Sequence, residues 1–484
     1  MSRKYLAGMI SLLLVFFATR LIAIDQFPMF TDEAFHIRFA RNVVDKGVLS
    51  NAEEGRQLTI WLYTLVQADQ NAAIFVARAA TLLTLLPGLA ALIASGWRLA
   101  GLWGALFTGL LLQFSVYHMF FERMALADPV SASALSVALY LTIRRGGLRG
   151  ALLTAMMLFI AFAAKVSALP FVALPLAGAV FRRPAGQSWR QSLGWAGLAM
   201  GTGGLLIAGF SAVLIWQQHD PFFYLLRGTG ESSDGLMALL LTRIPSNIQS
   251  TLVNLSGFLG VHGLLLLGVA LLVLVLRRRW FLPVLVAGSM AIFWLNNRPD
   301  TRHLIIPVNI ALLAGGVVLA DLARGRSRLW QRGLVVLVIV MGLLTWLPFS
   351  LTLNSDPAAL SFIGWNDYHQ YIASEGSGSG LAEVADVLAG YQPQQVLGLF
   401  ANCWALEYMA ADQLPITCPR VNPNGSDVPA LTQLLHDSRA EGVYAVLETI
   451  AYVPAESPGR LVATIERPAN GPQLRIYDLS PDTG

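Results

Sequence analysis

Apolar runs of about 20 residues, the length a helix needs to cross the hydrocarbon core of a bilayer, recur from Tyr5 to Leu351 with short polar breaks between them. A backbone that crosses lipid must satisfy its own hydrogen bonds, so this recurrence dictates a polytopic α-helical membrane protein. Composition agrees: 55% of the 484 residues are hydrophobic, only 13% are charged, and mean hydropathy is +0.58, which excludes an ordinary soluble chain.

Eleven transmembrane helices are expected, at 5–24, 73–95, 100–119, 127–143, 150–164, 167–181, 194–216, 256–276, 280–296, 303–321 and 333–351. The first is flanked by Arg3 and Lys4 like a signal peptide, but its apolar core is long and no small-residue cleavage site follows, so it reads as a retained anchor. Arg3/Lys4, Arg98, Arg144/Arg145/Arg149, Arg182/Arg183/Arg190, Arg277–Arg279 and Arg324/Arg326/Arg328/Arg332 then fall on one face. Short basic loops prefer the cytoplasm, which puts the N-terminus inside. Loop 25–72, the turn near Glu122, loop 217–255, the stretch 297–302 and the C-terminal region lie outside. The net charge of +4 reflects this topology and gives no argument for nucleic-acid binding.

Two domains follow: a transmembrane domain over 1–353, whose first external loop, 25–72, carries interfacial helices, and a small extracytoplasmic α/β domain over 354–484. In the second, "GLAEVADVLAGY" and "ALTQLLHDSRAEG" have helical apolar spacing, while "QQVLGLF", "GVYAVLETI" and "PQLRIYDLS" read as strands, after a glycine-shaped loop "SEGSGSG". Cys403 and Cys418 both lie here, in an oxidising compartment under this topology. A disulfide between them and two separate buried thiols are both open.

Directly after the first apolar run stands "QFPMFTDEAFHIRFARN". Thr31 suits an N-cap, and Asp32 and Glu33 suit the first turn of a helix, where carboxylates meet the positive end of the dipole. Phe35, Phe39 and Val43 recur at helical spacing, as in a helix lying at the membrane interface. Asp32 and His36 share a face, whereas Glu33 is turned about 100° away, so the two acids have different work to do.

With this pair in that setting the chain resembles the GT-C fold glycosyltransferases that use lipid-phosphate sugars, of the bacterial protein O-mannosyltransferase and aminoarabinose transferase type. Further elements carry the likeness: "IFVARAATLL" with Arg78, "FFERMALADPVSASAL" with Glu122, Arg123 and Asp128, "AFAAKVSALPFVALPL" with Lys165, "TRHLIIPVNIALL" with Arg302, His303 and Pro307, and the junction "GWNDYHQYIASEGSGSGLAEVADVL". The family's double proline in the first loop is absent, and Lys165 is followed by Val-Ser rather than Gly-Pro. The resemblance implies a GT-C fold and inverting transfer of a sugar from an undecaprenyl or dolichyl phosphate. The acceptor is a hydroxyl of a protein, lipid or glycan at the outer face of the plasma membrane.

Such a transfer needs a base for the acceptor proton and positive charge for the departing phosphate. Asp32 is the candidate base, and Glu33, beside it, orients the loop or acceptor. Lys165, Arg302 and His303 are the candidate phosphate ligands, since arginine grips phosphate through two bonds and lysine acts as a point charge. His36, Glu122, Arg123 and Asp128 are expected in supporting or acceptor-side places. Asp32, His36, Glu122 and Asp128 are oxygen and nitrogen donors on one side, which admits a divalent metal although no ligand spacing demands one. The alternatives are a polytopic transporter or flippase, disfavoured by the lack of an internal repeat and by the clustering of ionisable residues in one external layer, and a non-catalytic sugar-lipid binding protein.

Overall fold

The computed structural model describes residues 3–46, 55–66, 72–183, 186–217, 219–220, 222, 242–295, 300–360, 363–410, 412–419, 428–449 and 458–481. Most of the expected loop 217–255 and parts of 25–72 and 297–302 lie outside the described residues.

The chain begins with α1 (Arg3–Leu21), α2 (Thr31–Lys46), α3 (Gln57–Leu65), α4 (Ala73–Gln113), α5 (Val116–Phe121), α6 (Ala127–Arg144) and α7 (Gly147–Ala164). Among the described residues, six helices are long and apolar enough to cross a membrane: α4, α7, Trp189–Trp216, Ile244–Leu276, Thr301–Ala323 and Arg328–Ser355. Shorter apolar helices occupy Leu6–Leu21, Val166–Phe181 and Phe281–Trp294. The two spans expected at 73–95 and 100–119 fall on the two helical arms of α4, which reverses between them at Gly101, whose φ of +73° is open to glycine and costly for other residues. The turn brings the backbones of Gly96 and Gly104 into contact.

Helix Ile305–Ala323 is the hub, packed against α4, Ile244–Leu276 and Phe281–Trp294 and buried along most of its length. By contrast, Arg328–Ser355 leaves Leu329, Val336, Leu337, Leu344 and Leu351 exposed, as a helix bathed in lipid would. The basic ends converge: Arg277 and Arg279 both pair with Asp321, Arg324 donates to the Ala100 carbonyl, and Arg145 donates to the Arg182 carbonyl.

Beyond these helices a five-stranded sheet has the order β2 (Ile416–Thr417), β1 (Gln395–Leu399), β3 (Val443–Glu448), β5 (Gly471–Asp478), β4 (Arg460–Arg467). The first three are parallel, and β5 is antiparallel to both β3 and β4. Helices Leu381–Tyr391 and Val428–Asp437 fall where their apolar spacing predicts, as do β1, β3 and β5. Unread in the sequence were the two edge strands: β2, only two residues long, and β4, whose outward half is polar or exposed and so lacks a buried strand's apolar run. Cys403 and Cys418 are joined in a disulfide.

Candidate active site

The loop 25–30 delivers the chain into α2 in an unusually fixed way. Helix α2 opens with Phe30 as its N-cap rather than Thr31: Glu33 reaches back so that its Oε2 accepts from the Phe30 amide at 3.0 Å, half of a capping box. The same carboxylate grips Arg78 of α4 through two bonds of 2.8 and 2.7 Å, and accepts from the Ala125 amide at 2.7 Å. Arg78 in turn donates to the carbonyls of Ile24 and Phe27. Both side chains are fully buried. Glu33 therefore has no oxygen to offer a reacting proton, and of its two expected jobs the geometry fits loop orientation.

Asp32, one residue earlier, faces the other way. Its Oδ2 accepts from Arg302 at 2.6 Å and lies 3.7 Å from Arg56. Arg302 also pairs with Asp300 at 3.2 Å and approaches Asp128 Oδ2 at 4.0 Å. Asp128 accepts from Lys165 Nζ at 2.5 Å and stands 3.8 Å from His303 Nε2. The structure thus joins Asp32, Asp128, Lys165, Arg302 and His303 into one network from α2, the first turn of α6, the residue closing α7 and the turn that opens Ile305–Ala323. Asp128 makes no cap of its own helix; its charge goes to Lys165.

Burial alone would raise the Asp32 carboxyl, but Arg302 and Arg56 outweigh it and hold the group well below the usual carboxylate range. His36 is one turn along α2: its Nδ1 lies 2.8 Å from the Ala125 carbonyl and its Nε2 lies 2.9 Å from Arg56. A carbonyl only accepts and a guanidinium only donates, so the ring is the neutral tautomer with its proton on Nδ1.

The sheet domain covers this layer. Asn402 Nδ2 donates to the carbonyls of Met29 and Gly376, at 2.8 and 3.2 Å, and the Thr31 amide donates to Gly376 at 2.9 Å. Gly378 lies so close that a Cβ there would come within 2.7 Å of the Met29 amide nitrogen. Helix Cys403–Ala410, tied down by the disulfide, lies along α2: Phe35 meets Trp404 edge-on at 4.7 Å, Arg41 sits 4.5 Å over the Tyr408 ring, and Arg38 pairs with Glu407. The apolar stripe of α2, expected against lipid, is instead covered largely by protein, since the adjacent domain offers a matching apolar face.

Two expected members lie elsewhere. Glu122 pairs with Arg20 of α1 at 3.3 Å, and Arg123 donates to Asn354 and to the carbonyls of Ile22 and Ala23. Both tie α1 to its neighbours, because the turn after α5 points them at the end of α1 and away from Asp32. Among the described residues no three metal-binding side chains are grouped to hold an ion. Of the four metal candidates, Asp32 is bound by Arg302, Asp128 by Lys165, Glu122 by Arg20, and His36 has both ring nitrogens engaged. These residues do not fit a metal centre. Sequence reading missed Arg56 and Asp300, which stand in loops with no periodic signal, and the engagement of Glu33 by Arg78, which sits 45 residues away.

No protein-family model and no curated protein matches the sequence. Solved structures do match. ArnT from Cupriavidus metallidurans bound to undecaprenyl phosphate aligns over 100% of both chains with a TM-score of 0.62 at 15% identity. The oligosaccharyltransferase AglB from Archaeoglobus fulgidus, in complex with an inhibitory peptide and a dolichol-phosphate, aligns over 93% of this chain and 70% of its own, with a TM-score of 0.51 at 10% identity. The chain therefore has the GT-C fold.

Proposed function

We propose that the chain is an inverting glycosyltransferase that moves a sugar from a polyprenyl phosphate to a hydroxyl acceptor. The observation that carries this reading is one carboxylate, Asp32, bonded to Arg302 within a layer that also holds Lys165, His303 and Arg56. The ligands of the two structural relatives, undecaprenyl phosphate and dolichol-phosphate, support a donor of the same class.

The chemistry follows from the network. A sugar-linked phosphate arriving at Arg302 competes with Asp32 for the guanidinium, which can hold two phosphate oxygens at once. Losing that partner raises the basicity of Asp32 when the acceptor hydroxyl is in place. The acceptor oxygen attacks the anomeric carbon, its proton passes to Asp32, and the bond to the phosphate oxygen breaks. The charge left on the phosphate is met by Arg302 and Lys165. Attack from the face opposite the phosphate inverts the anomeric centre. Glu33, bound to Arg78, keeps the loop that presents Asp32 in register.

In this reading the catalytic domain spans 1–353 and the domain 354–484 closes over α2. The Arg-rich helix ends face the cytoplasm, and the site and the disulfide face the outside of a plasma membrane. Purified protein incubated with undecaprenyl-phosphate sugars and mixed envelope acceptors tests it. Acceptor-dependent release of free undecaprenyl phosphate, with an inverted product, is expected. Movement of lipid across the bilayer with every glycosidic bond intact would contradict it.

A further inference from the structure

The network around Asp32 leaves one side of Arg302 unexplained. Arg302 Nε, Asp367 Oδ2 and Tyr371 Oη are all buried, and each lacks a hydrogen-bond partner; Thr301 Oγ1, buried beside them, reaches toward the Asp367 carboxyl. Asp367 is 1% exposed and Tyr371 is 0% exposed. Buried polar atoms are almost always paired, so three orphans together imply a ligand or trapped water that pairs them.

Their supports are firm. The Thr301 carbonyl is held by Tyr117 Oη at 2.7 Å. Asp367 stands in the short helix Trp365–Tyr368, whose Tyr368 Oη donates to the Ala358 carbonyl at 2.6 Å. Tyr371 stands in the next turn, His369–Ala373, a π-helical turn of the kind often found at functional sites. The Phe30 ring ties this wall to the phosphate arginine: it lies 4.6 Å from the Tyr371 ring and 5.6 Å from the Arg302 guanidinium.

We propose that Asp367, Tyr371 and Thr301 form the subsite for the donor's sugar ring, beside the arginine that holds its phosphate. This rests on the glycosyltransferase reading above and names the part of the donor that the cluster reads. A phenol and an alcohol each donate one hydrogen bond and accept others, and a carboxylic acid does the same when protonated. Burial, with Asp300 adding, pushes the Asp367 carboxyl up to about 8 against the pull of Thr301 and Arg302, so at neutral pH it carries its proton. The natural complement to such a wall is a neutral ring of hydroxyls, each also donor and acceptor. A second phosphate would find too few cations there, since Arg302 is already shared with Asp32 and Asp300.

A site built to bond hydroxyls discriminates strongly against ligands that lack them, because its own groups are then left unpaired. The test therefore compares two classes of ligand on the full chain in lipid nanodiscs: bare undecaprenyl phosphate, and its glucosyl, galactosyl, mannosyl and aminoarabinosyl esters. Wild type should bind at least one ester about tenfold tighter than the bare lipid phosphate. Asp367→Asn and Tyr371→Phe should each lose most of that margin while binding the bare lipid phosphate as wild type does, which also certifies their fold. Equal weakening of both ligands would assign the cluster to the phosphate or to folding and overturn the inference. So would unchanged binding of both, or a wild type that binds the bare phosphate and no ester more tightly. A wild type that binds neither ligand would overturn the glycosyltransferase reading itself.

Discussion

Asp32 and Glu33 are adjacent in sequence and belong to different regions of the molecule. Glu33 faces inward to a dry seam between α2 and α4, where one arginine and two backbone amides consume its oxygens. Asp32 faces a partly open layer, keeps 18% of its side-chain surface exposed, and shares its main partner with two other acids. In the proposed reaction one dipeptide supplies both chemistry and scaffold: the helical turn separates the carboxylates, and Glu33 has a fully buried partner of its own while Asp32 has one that Asp300 and Asp128 also approach. Glu122 with Arg20 repeats the inward pattern, whereas Asp128, equally buried, joins the Asp32 layer through Lys165, His303 and Arg302.

The contrast breaks most visibly on the inward side. Glu33→Gln leaves Arg78 buried without its counter-charge and should cost about 3–5 kcal/mol of stability, read as a large fall in thermal unfolding temperature in detergent. A wild-type melting temperature would show that the pair is dispensable. Next in size is the clamp over α2. Cys403→Ser opens a loop of sequence separation 15, worth about 3 kcal/mol by chain entropy. Limited proteolysis should then cut the sheet domain before the membrane part, and equal resistance to wild type would count against the clamp.

On the outward side Arg302→Lys keeps the charge and loses the two-pronged grip, so donor affinity should fall about 10- to 100-fold with little change in melting temperature. Unchanged affinity by titration would remove Arg302 from the phosphate site. The smallest effect concerns pH. The folded Asp32 carboxyl lies below its ordinary value of 3.8, so the stability it contributes is present above that pH and is lost as pH falls below it. Wild type and Asp32→Asn should therefore keep a constant difference in stability across neutral pH and converge only in strong acid. A difference that already varied between pH 5 and 8 would mean that the carboxyl is not held down.

Much of this architecture is legible in the residues because it is local. The long apolar runs place the helices, short apolar runs place β1, β3 and β5, and the Asp-Glu pair marks the start of α2. Lys165, Arg302, His303 and Asp128 stand out in the residues through the motifs that resemble the GT-C glycosyltransferases and, for Lys165, because a charge amid an apolar run calls for a reason. What the residues concealed is tertiary. Glu122 and Arg123 look like partners of Asp32 until the ends of α1 and the carbonyls of Ile22 and Ala23 come within reach. Asp367 and Tyr371 sit in "GWNDYHQYIAS", which reads as a polar junction, and only burial beneath the sheet domain makes their unpaired oxygens visible.

The central claim is that Asp32 takes a proton in the reaction and does not merely cap a helix. The most direct measurement is single-turnover transfer from an undecaprenyl-phosphate sugar by wild type and Asp32→Asn, with donor affinity titrated in the same preparations. The account predicts a transfer rate lower by about 10²–10⁴-fold in the variant, with donor affinity retained or increased as Arg302 is freed. Equal transfer rates, or a loss of transfer accounted for entirely by lost donor binding, would contradict it.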